Sequence, residues 1–389
     1  MGNFSAAANQ LQADKYYTIR FASADKYADQ GWSTSNVEES DFGALYDNYL
    51  CPADAATLGL LGADALRSGA YAFFTPSADG DIAFRFVPQA GGTYAIQHKA
   101  SGLFIQVYGY DSWTGLTLHP TLFTVEAIGQ GECTIHATDY EGTDQSYLHA
   151  QLRDHRLVTW HDHSVGSNSG LIIEEVENVT GDAGTPLVDF RKGGLTTLCY
   201  PVALTPAAGT AYTVAGTYSE GEKTYVALNR TAAIEAGQPV VFLSEGDYDA
   251  EAEEDPTTVA MQVGTRIAAQ PLNDGALQGT YQELSLEQDV LVFRDASCDL
   301  TTEENRTVGG HRAYVVPAAV SADPAATYDL VLEVGGGLTG IRSALENVAR
   351  RGDVCNVAGQ LVRRNASLSE VGTLPAGVYI LNGVKILVK

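Results

Sequence analysis

The 389-residue chain carries 48 acidic against 23 basic side chains, a formal net charge of −25, with 45% hydrophobic residues. That apolar fraction supports ordinary cores and excludes global disorder, and the length suggests two or three domains. So acidic a surface repels phosphate backbones and anionic lipid, which disfavours nucleic acid as a partner.

Tyrosine (20) and glycine (40) are frequent, as strands and the turns between them require. No apolar run is long enough to span a membrane. The start, Met-Gly-Asn-Phe-Ser-Ala, lacks the basic and apolar regions of a signal peptide. It fits either a cytosolic protein or a mature form whose signal was replaced by Met-Gly. Cys51, Cys133, Cys199, Cys298 and Cys355 are far apart, with no Cys-x-x-Cys pair for a zinc knuckle or a dithiol.

Three segments of the first 180 residues share a pattern. Each opens on a strand with alternating apolar residues, at Tyr17-Thr18-Ile19, Tyr94-Ala95-Ile96 and Cys133-Thr134-Ile135. A short second strand follows at Tyr27-Ala28, Phe104-Ile105 and Tyr147-Leu148. A closing strand comes later, at Phe84-Arg85-Phe86, Phe123-Thr124-Val125 and Ile172-Ile173-Glu174. The offset from Phe84 to Tyr94 equals that from Phe123 to Cys133, and repeat two spans about 40 residues, the size of one supersecondary unit. Repeat one carries an insertion, roughly Asn36 to Gly69, with a helix expected from Asp54 to Leu66 and capped by Asp54.

Three related four-strand units can close into a barrel with a hairpin cap, leaving no exposed sheet edge. Over about Asp14 to Thr180 the pattern resembles the ricin-like β-trefoils, although their Gln-x-Trp signature is absent. The resemblance implies ligand loops after the second strand of each repeat, where the three tryptophans lie. A sugar site needs an aromatic face for the ring and a carboxylate or amide for adjacent hydroxyls. Repeat two offers Tyr108, Tyr110, Asp111 and Trp113; repeat three offers Trp160 and Asp162, beside His161 and His163; repeat one offers Asp29 and Trp32. His161 and His163 would share a face on a strand, but no spacing supplies a third ligand, so neither a metal nor a cofactor is expected.

Thr180 to Pro186 reads as a linker. Strand-like segments follow at Thr196–Tyr200, Ala211–Ala215, Tyr225–Leu228, Pro239–Leu243, Val290–Phe293 and Ala313–Val316, with a hairpin turn at Ser219-Glu220-Gly221-Glu222. A two-sheet β-sandwich over residues 186–335 buries them most simply. Leu195 to Pro201, Ile234 to Val241 and His311 to Val315 resemble an accessory domain of secreted Bacteroidales proteins, which implies no chemistry. The acidic run Glu245 to Asp255 lacks the spaced loop of an EF-hand and reads as solvated.

The tail, residues 338–389, contains Asn356-Val357-Ala358-Gly359-Gln360-Leu361-Val362, Leu374-Pro375-Ala376-Gly377-Val378-Tyr379-Ile380 and Asn382-Gly383-Val384-Lys385. It resembles the C-terminal sorting domain of the type IX secretion family, with Cys355 where that family has an aromatic residue. That implies a protein secreted or held at the outer-membrane surface. Asn382-Gly383 is a type I′ turn signal, so a terminal β-hairpin is expected.

There is no Gly-x-Ser-x-Gly, His-Glu-x-x-His, P-loop or Gly-x-Gly-x-x-Gly after a strand; Gly166-Ser167-Asn168-Ser169-Gly170 has asparagine at its centre. Carboxylates are abundant enough for a glycosidase pair, but no barrel of catalytic size is available. The expectation is an all-β, non-catalytic binding protein for a glycan or glycoprotein. The alternatives are a protein-binding adhesin or peptidase inhibitor, and an accessory region of a larger secreted glycosidase or peptidase.

Overall fold

The computed structural model describes residues 11–22, 49–52, 70–75, 81–109, 114–138, 146–151, 156–161, 165, 167–246, 248–249, 256–273, 275–295, 297–302, 305–317, 320–326, 328–336, 352–356, 358–366, 368–371, 373–375, 377–381 and 384–388. It is an all-β chain whose first twelve strands form one sheet system containing a six-stranded barrel. These are β1 (Tyr17–Phe21), β2 (Tyr49–Pro52), β3 (Ala70–Thr75), β4 (Phe84–Pro88), β5 (Tyr94–His98), β6 (Phe104–Val107), β7 (Thr114–Thr117), β8 (Leu122–Gly129), β9 (Glu132–Ala137), β10 (Tyr147–Gln151), β11 (Arg156–Trp160) and β12 (Leu171–Glu175). Strands β1, β4, β5, β8, β9 and β12 pair in a closed ring, the last joining the first from Tyr17↔Glu175 to Phe21↔Leu171.

The threefold pattern recurs in this register. Tyr17 meets Phe84, Tyr94 meets Phe123 and Cys133 meets Leu171, each the first residues or nearly so of an opening and a closing strand. Side chains alternate along every strand, so one set fills the interior: Tyr17, Ile19, Phe84, Phe86, Ile96, Phe123, Ile135 and Ile173, all nearly inaccessible. Hairpins β2–β3, β6–β7 and β10–β11 start from β1, β5 and β9 respectively, at Arg20↔Tyr49, Gln97↔Phe104 and His136↔Tyr147. They also meet one another, with β3 pairing both β7 and β11.

Repeat one departs from expectation. Its first hairpin strand is Tyr49–Pro52, inside the stretch read as an insertion. The offset from Tyr94 to Phe104 in repeat two points to Tyr27-Ala28 instead, which, like the helix expected over Asp54 to Leu66, lies outside the described residues.

The next strands are β13 (Leu187–Arg191), β14 (Leu195–Leu198), β15 (Val202–Pro206), β16 (Thr210–Glu220), β17 (Lys223–Thr231), β18 (Val240–Leu243), β19 (Pro256–Ile267), β20 (Leu277–Thr280), β21 (Leu284–Ser285), β22 (Leu291–Arg294), β23 (Ser297–Leu300), β24 (Thr307–Val308), β25 (Arg312–Val315) and β26 (Leu330–Glu333). A five-stranded sheet, β14-β18-β16-β17-β26, and a four-stranded sheet, β20-β25-β22-β23, share the cluster Tyr212, Val226, Leu228, Val241, Leu291, Phe293, Val315 and Leu332. The turn joining β16 to β17 is Gly221-Glu222, with Glu220 opposite Lys223 and Gly221 in the left-handed region at φ 62°. A third sheet, β13-β19-β15, was not expected. Its long strand β19 buries only Val259 and Met261, on either side of half-buried Ala260, too short an alternation to mark a strand.

This third sheet joins the barrel to the rest. Val87 and Ala95 of the barrel and Phe104 and Leu118 of the hairpin beside it pack in one cluster with Phe190, Val202, Leu204, Phe242, Val259 and Met261. The segment read as a linker is a fastened joint. Gly184 N–H donates to Lys99 O at 2.7 Å, Tyr16 Oη donates to Gly181 O at 2.9 Å, and Lys99 Nζ donates to Asp182 O. A Cβ on Gly184 would lie 1.8 Å from Ala100 O, and one on Gly102 1.9 Å from Gly184 O, so neither position admits a side chain without moving backbone.

The tail holds β27 (Gly352–Asn356), β28 (Leu361–Ala366), a helical turn α1 (Leu368–Val371), β29 (Gly377–Leu381) and β30 (Val384–Val388), in the sheet order β28-β27-β29-β30. The expected hairpin is its last half, closing at Leu381↔Val384; Asn382-Gly383 lies outside the described residues. Val354, Ala366, Val371, Tyr379, Leu381 and Val388 form a separate small core.

A second contact across the joint titrates. His311 Nε2 and His119 Nδ1 lie 2.7 Å apart, so one ring donates and the other accepts. Tyr200 stacks on His311 with ring centroids 4.8 Å apart, and Tyr281 packs against His119 at 5.4 Å. Burial, then the neighbouring His119 and Arg312, pull the His311 imidazole down to about 4. The folded value lies below the ordinary histidine value of about 6.5, so protonation favours the unfolded chain. The stability tied to His311 is present in full above pH ~6.5 and is lost as the pH falls towards ~4. His311 has φ 57°, which asparagine tolerates, so His311→Asn should flatten the fall of the thermal midpoint between pH 7 and 4 relative to the parent. Parallel melting curves over that range would contradict this.

Candidate binding site

The hairpins of repeats two and three meet at one end of the barrel. Thr159 is fully buried and its hydroxyl donates to Gly109 O at 2.7 Å; Thr114 Oγ1 donates to Leu157 O at 3.0 Å. The residue before Gly109 is Tyr108, 43% exposed, and the residue after Thr159 is Trp160, half-buried at the end of β11. The fold thus joins backbone next to two aromatic residues that the sequence assigned to separate repeats.

Trp160 sits opposite Tyr147 in the β10–β11 pair. Its ring lies 5.9 Å from His149 and 5.0 Å from the exposed His161, centroid to centroid. Tyr147 in turn stacks on His136 at 4.6 Å. His149 Nδ1 and Ser169 Oγ are 3.0 Å apart, and Asn168 Nδ2 donates to Ala150 O at 3.1 Å, tying the chain before β12 to β10. The result is a run of rings, His136, Tyr147, Trp160, His149 and His161, across three strands. Aromatic faces with imidazole nitrogens and hydroxyls at their edges can stack on an apolar ring face and bond its polar rim.

Of the residues singled out in the sequence, Tyr108 and Trp160 are placed here. Tyr110, Asp111, Trp113, Asp162, Asp29 and Trp32, and His163, lie outside the described residues. Tyr147, His149 and His136 were missed as site residues. Their signal was their alternation on β9 and β10, which puts 136 with 134 and 147 with 149 on shared faces. Among the described residues, no group of three or more His, Cys, Asp or Glu could hold a metal ion. Burial pushes the Cys133, Cys199 and Cys298 thiols up to about 12, so they stay protonated at neutral pH and serve packing. No helix among the described residues is long and apolar enough to cross a membrane.

Replacing Thr159 by valine keeps the shape but leaves Gly109 O buried without its donor. Thr159→Val should therefore cost about 1–3 kcal/mol in denaturant unfolding, and Thr159→Ser should restore most of it. Equal stability of the valine variant and the parent would contradict the contact.

No protein-family model matches the chain, and no curated protein matches it. Solved structures do match. Cry35Ab1 aligns at 10% identity over 56% of this chain and 60% of its own, with a TM-score of 0.30. A mosquitocidal holotoxin aligns at 8% identity over 92% of this chain and 39% of its own, with a TM-score of 0.29. The chain spans less than two thirds of either neighbour, and at these TM-scores neither likeness carries fold or function to it.

Proposed function

We propose that the chain is a non-catalytic binding protein whose first unit, residues 14–180, is a β-trefoil that holds carbohydrate on its hairpin face. Residues 186–335 form a β-sandwich accessory domain, and residues 338–389 a C-terminal sorting domain. The observation that carries the ligand assignment is the junction of Tyr108 and Trp160 through the Thr159–Gly109 hydrogen bond. A pyranose presents one apolar face and a polar rim, and a tryptophan flanked by two imidazoles matches both. The closed six-stranded ring, with three hairpins of which the first pairs with both others, supports the trefoil assignment. Location outside the cytoplasm, secreted or on the outer-membrane surface, belongs to the same proposal and rests on the sequence resemblance of the tail to the C-terminal sorting domain of the type IX secretion family.

A glycan array probed with the full chain, followed by titration of its best oligosaccharide, tests the ligand class. Trp160→Ala and Tyr108→Ala should each weaken binding by about tenfold, the loss of roughly 1–1.5 kcal/mol of stacking. Tyr108 is exposed, so its variant should melt with the parent. An array without hits, together with capture of a protein or inhibition of a peptidase, would replace carbohydrate by a protein ligand.

A further inference from the structure

A cavity of about 390 Å³ opens among the strands of residues 186–335, lined by 189–191, 194–197, 292–295, 307–309 and 312–313. It follows from a parting of two sheets. Strand β14 pairs along its length only with β18. Towards β22 it makes one bridge, Leu195 with Asp295. Towards β25 it uses the Thr197 side chain, whose hydroxyl donates to Ala313 O at 3.1 Å and accepts from Ala313 N–H at 2.9 Å.

Four buried apolar residues line this gap, Leu195 and Phe293 from the core shared by the two sheets and Val292 and Val308 from a smaller cluster. Among the described residues its charged lining is three arginines, Arg191, Arg294 and Arg312, against Asp189 and Asp295. Over the whole chain acidic residues outnumber basic ones by 48 to 23, so the sign is locally reversed. Both carboxylates are already engaged. Asp295 pairs with Arg191 at 2.6 Å, and Asp189 Oδ1 accepts from Thr258 Oγ1 at 2.6 Å. The donors of the other two arginines are largely unspent. Arg312 gives one N–H to Thr197 O at 2.9 Å, and a guanidinium has five. Arg294 makes no side-chain hydrogen bond or ion pair among the described residues.

We propose that this cavity is a binding site for a small organic carboxylate with an apolar body. Its volume falls in the range of small-molecule sites, roughly 300–1,000 Å³. A guanidinium presents paired donors that match the two oxygens of a carboxylate, and the apolar lining residues take the apolar body. Among the described residues the lining carries one positive charge in excess, which suits a monoanion, and the acidic surface outside repels larger polyanions. The site is distinct from the hairpin face and does not depend on the carbohydrate proposal.

Isothermal titration of the full chain with sodium octanoate and with sodium benzoate, and with 1-octanol as the neutral analogue, tests it. Saturable binding of one molecule of octanoate or benzoate is expected, with 1-octanol at least about tenfold weaker. Arg294→Gln should weaken the bound carboxylate about five- to tenfold while melting with the parent, because the side chain is exposed and makes no contact that folding needs. Arg312→Gln should act in the same direction; if losing its bond to Thr197 O unfolds the protein, Arg294→Gln alone decides. Absence of saturable binding of both carboxylates, equal affinity for 1-octanol, or full affinity in Arg294→Gln overturns the proposal.

Discussion

Everything in the first half of the chain depends on the ring closing between β1 and β12. Tyr17 must find Glu175, and Phe21 must find Leu171, across nearly the whole unit. Closing so long a loop is entropically unfavourable, although the cost grows only slowly with length, about 0.6 kcal/mol per doubling. What offsets it is the inward set of Tyr17, Ile19, Phe84, Phe86, Phe123 and Ile173, which reach full burial only when the sixth strand is in place. Closure also removes two sheet edges that would otherwise pair with other chains. The hairpins then have one way to meet, and that meeting brings Gly109 under Thr159 and sets the aromatic run beside it.

The same logic extends past the barrel. The outward faces of β4 and β5, with the β6 hairpin strand, place Val87, Ala95 and Phe104 against the third sheet, so the barrel exterior is core for its neighbour. Two glycines in van der Waals contact, Gly102 and Gly184, hold the crossing chain too close for any side chain. The paired imidazoles of His119 and His311 seal another part of the joint with a hydrogen bond that needs both rings neutral or one of them charged, never both. These strands are therefore not strung loosely after the barrel.

Much of this was legible in the sequence where one residue's neighbours lie on its own strand. Alternation at Tyr17-Thr18-Ile19, Tyr94-Ala95-Ile96 and Cys133-Thr134-Ile135 located the opening strands, and the repeated offset from Phe84 and Phe123 located the closing ones. The strands around Tyr225 and Val240 were legible for the same reason. Contacts between distant residues were not. Nothing local at Gly184 signals that Ala100 lies against it, nor at His119 that His311 faces it. The site was half legible: Trp160 and Tyr108 stood out as aromatic residues near turns, but their union required the pairing of hairpins. Arg191, Arg294 and Arg312 come from the ends of three strands, and only the parting of two sheets gathers them.

The central claim is that the hairpin face is where the chain holds carbohydrate. A crystal structure of the chain grown with a saturating oligosaccharide tests it most directly. The account predicts a sugar ring stacked on Trp160 or Tyr108, with hydroxyls within hydrogen-bond distance of the imidazoles of His149 or His161. An oligosaccharide held elsewhere on the chain, with both aromatic rings bare, would contradict it.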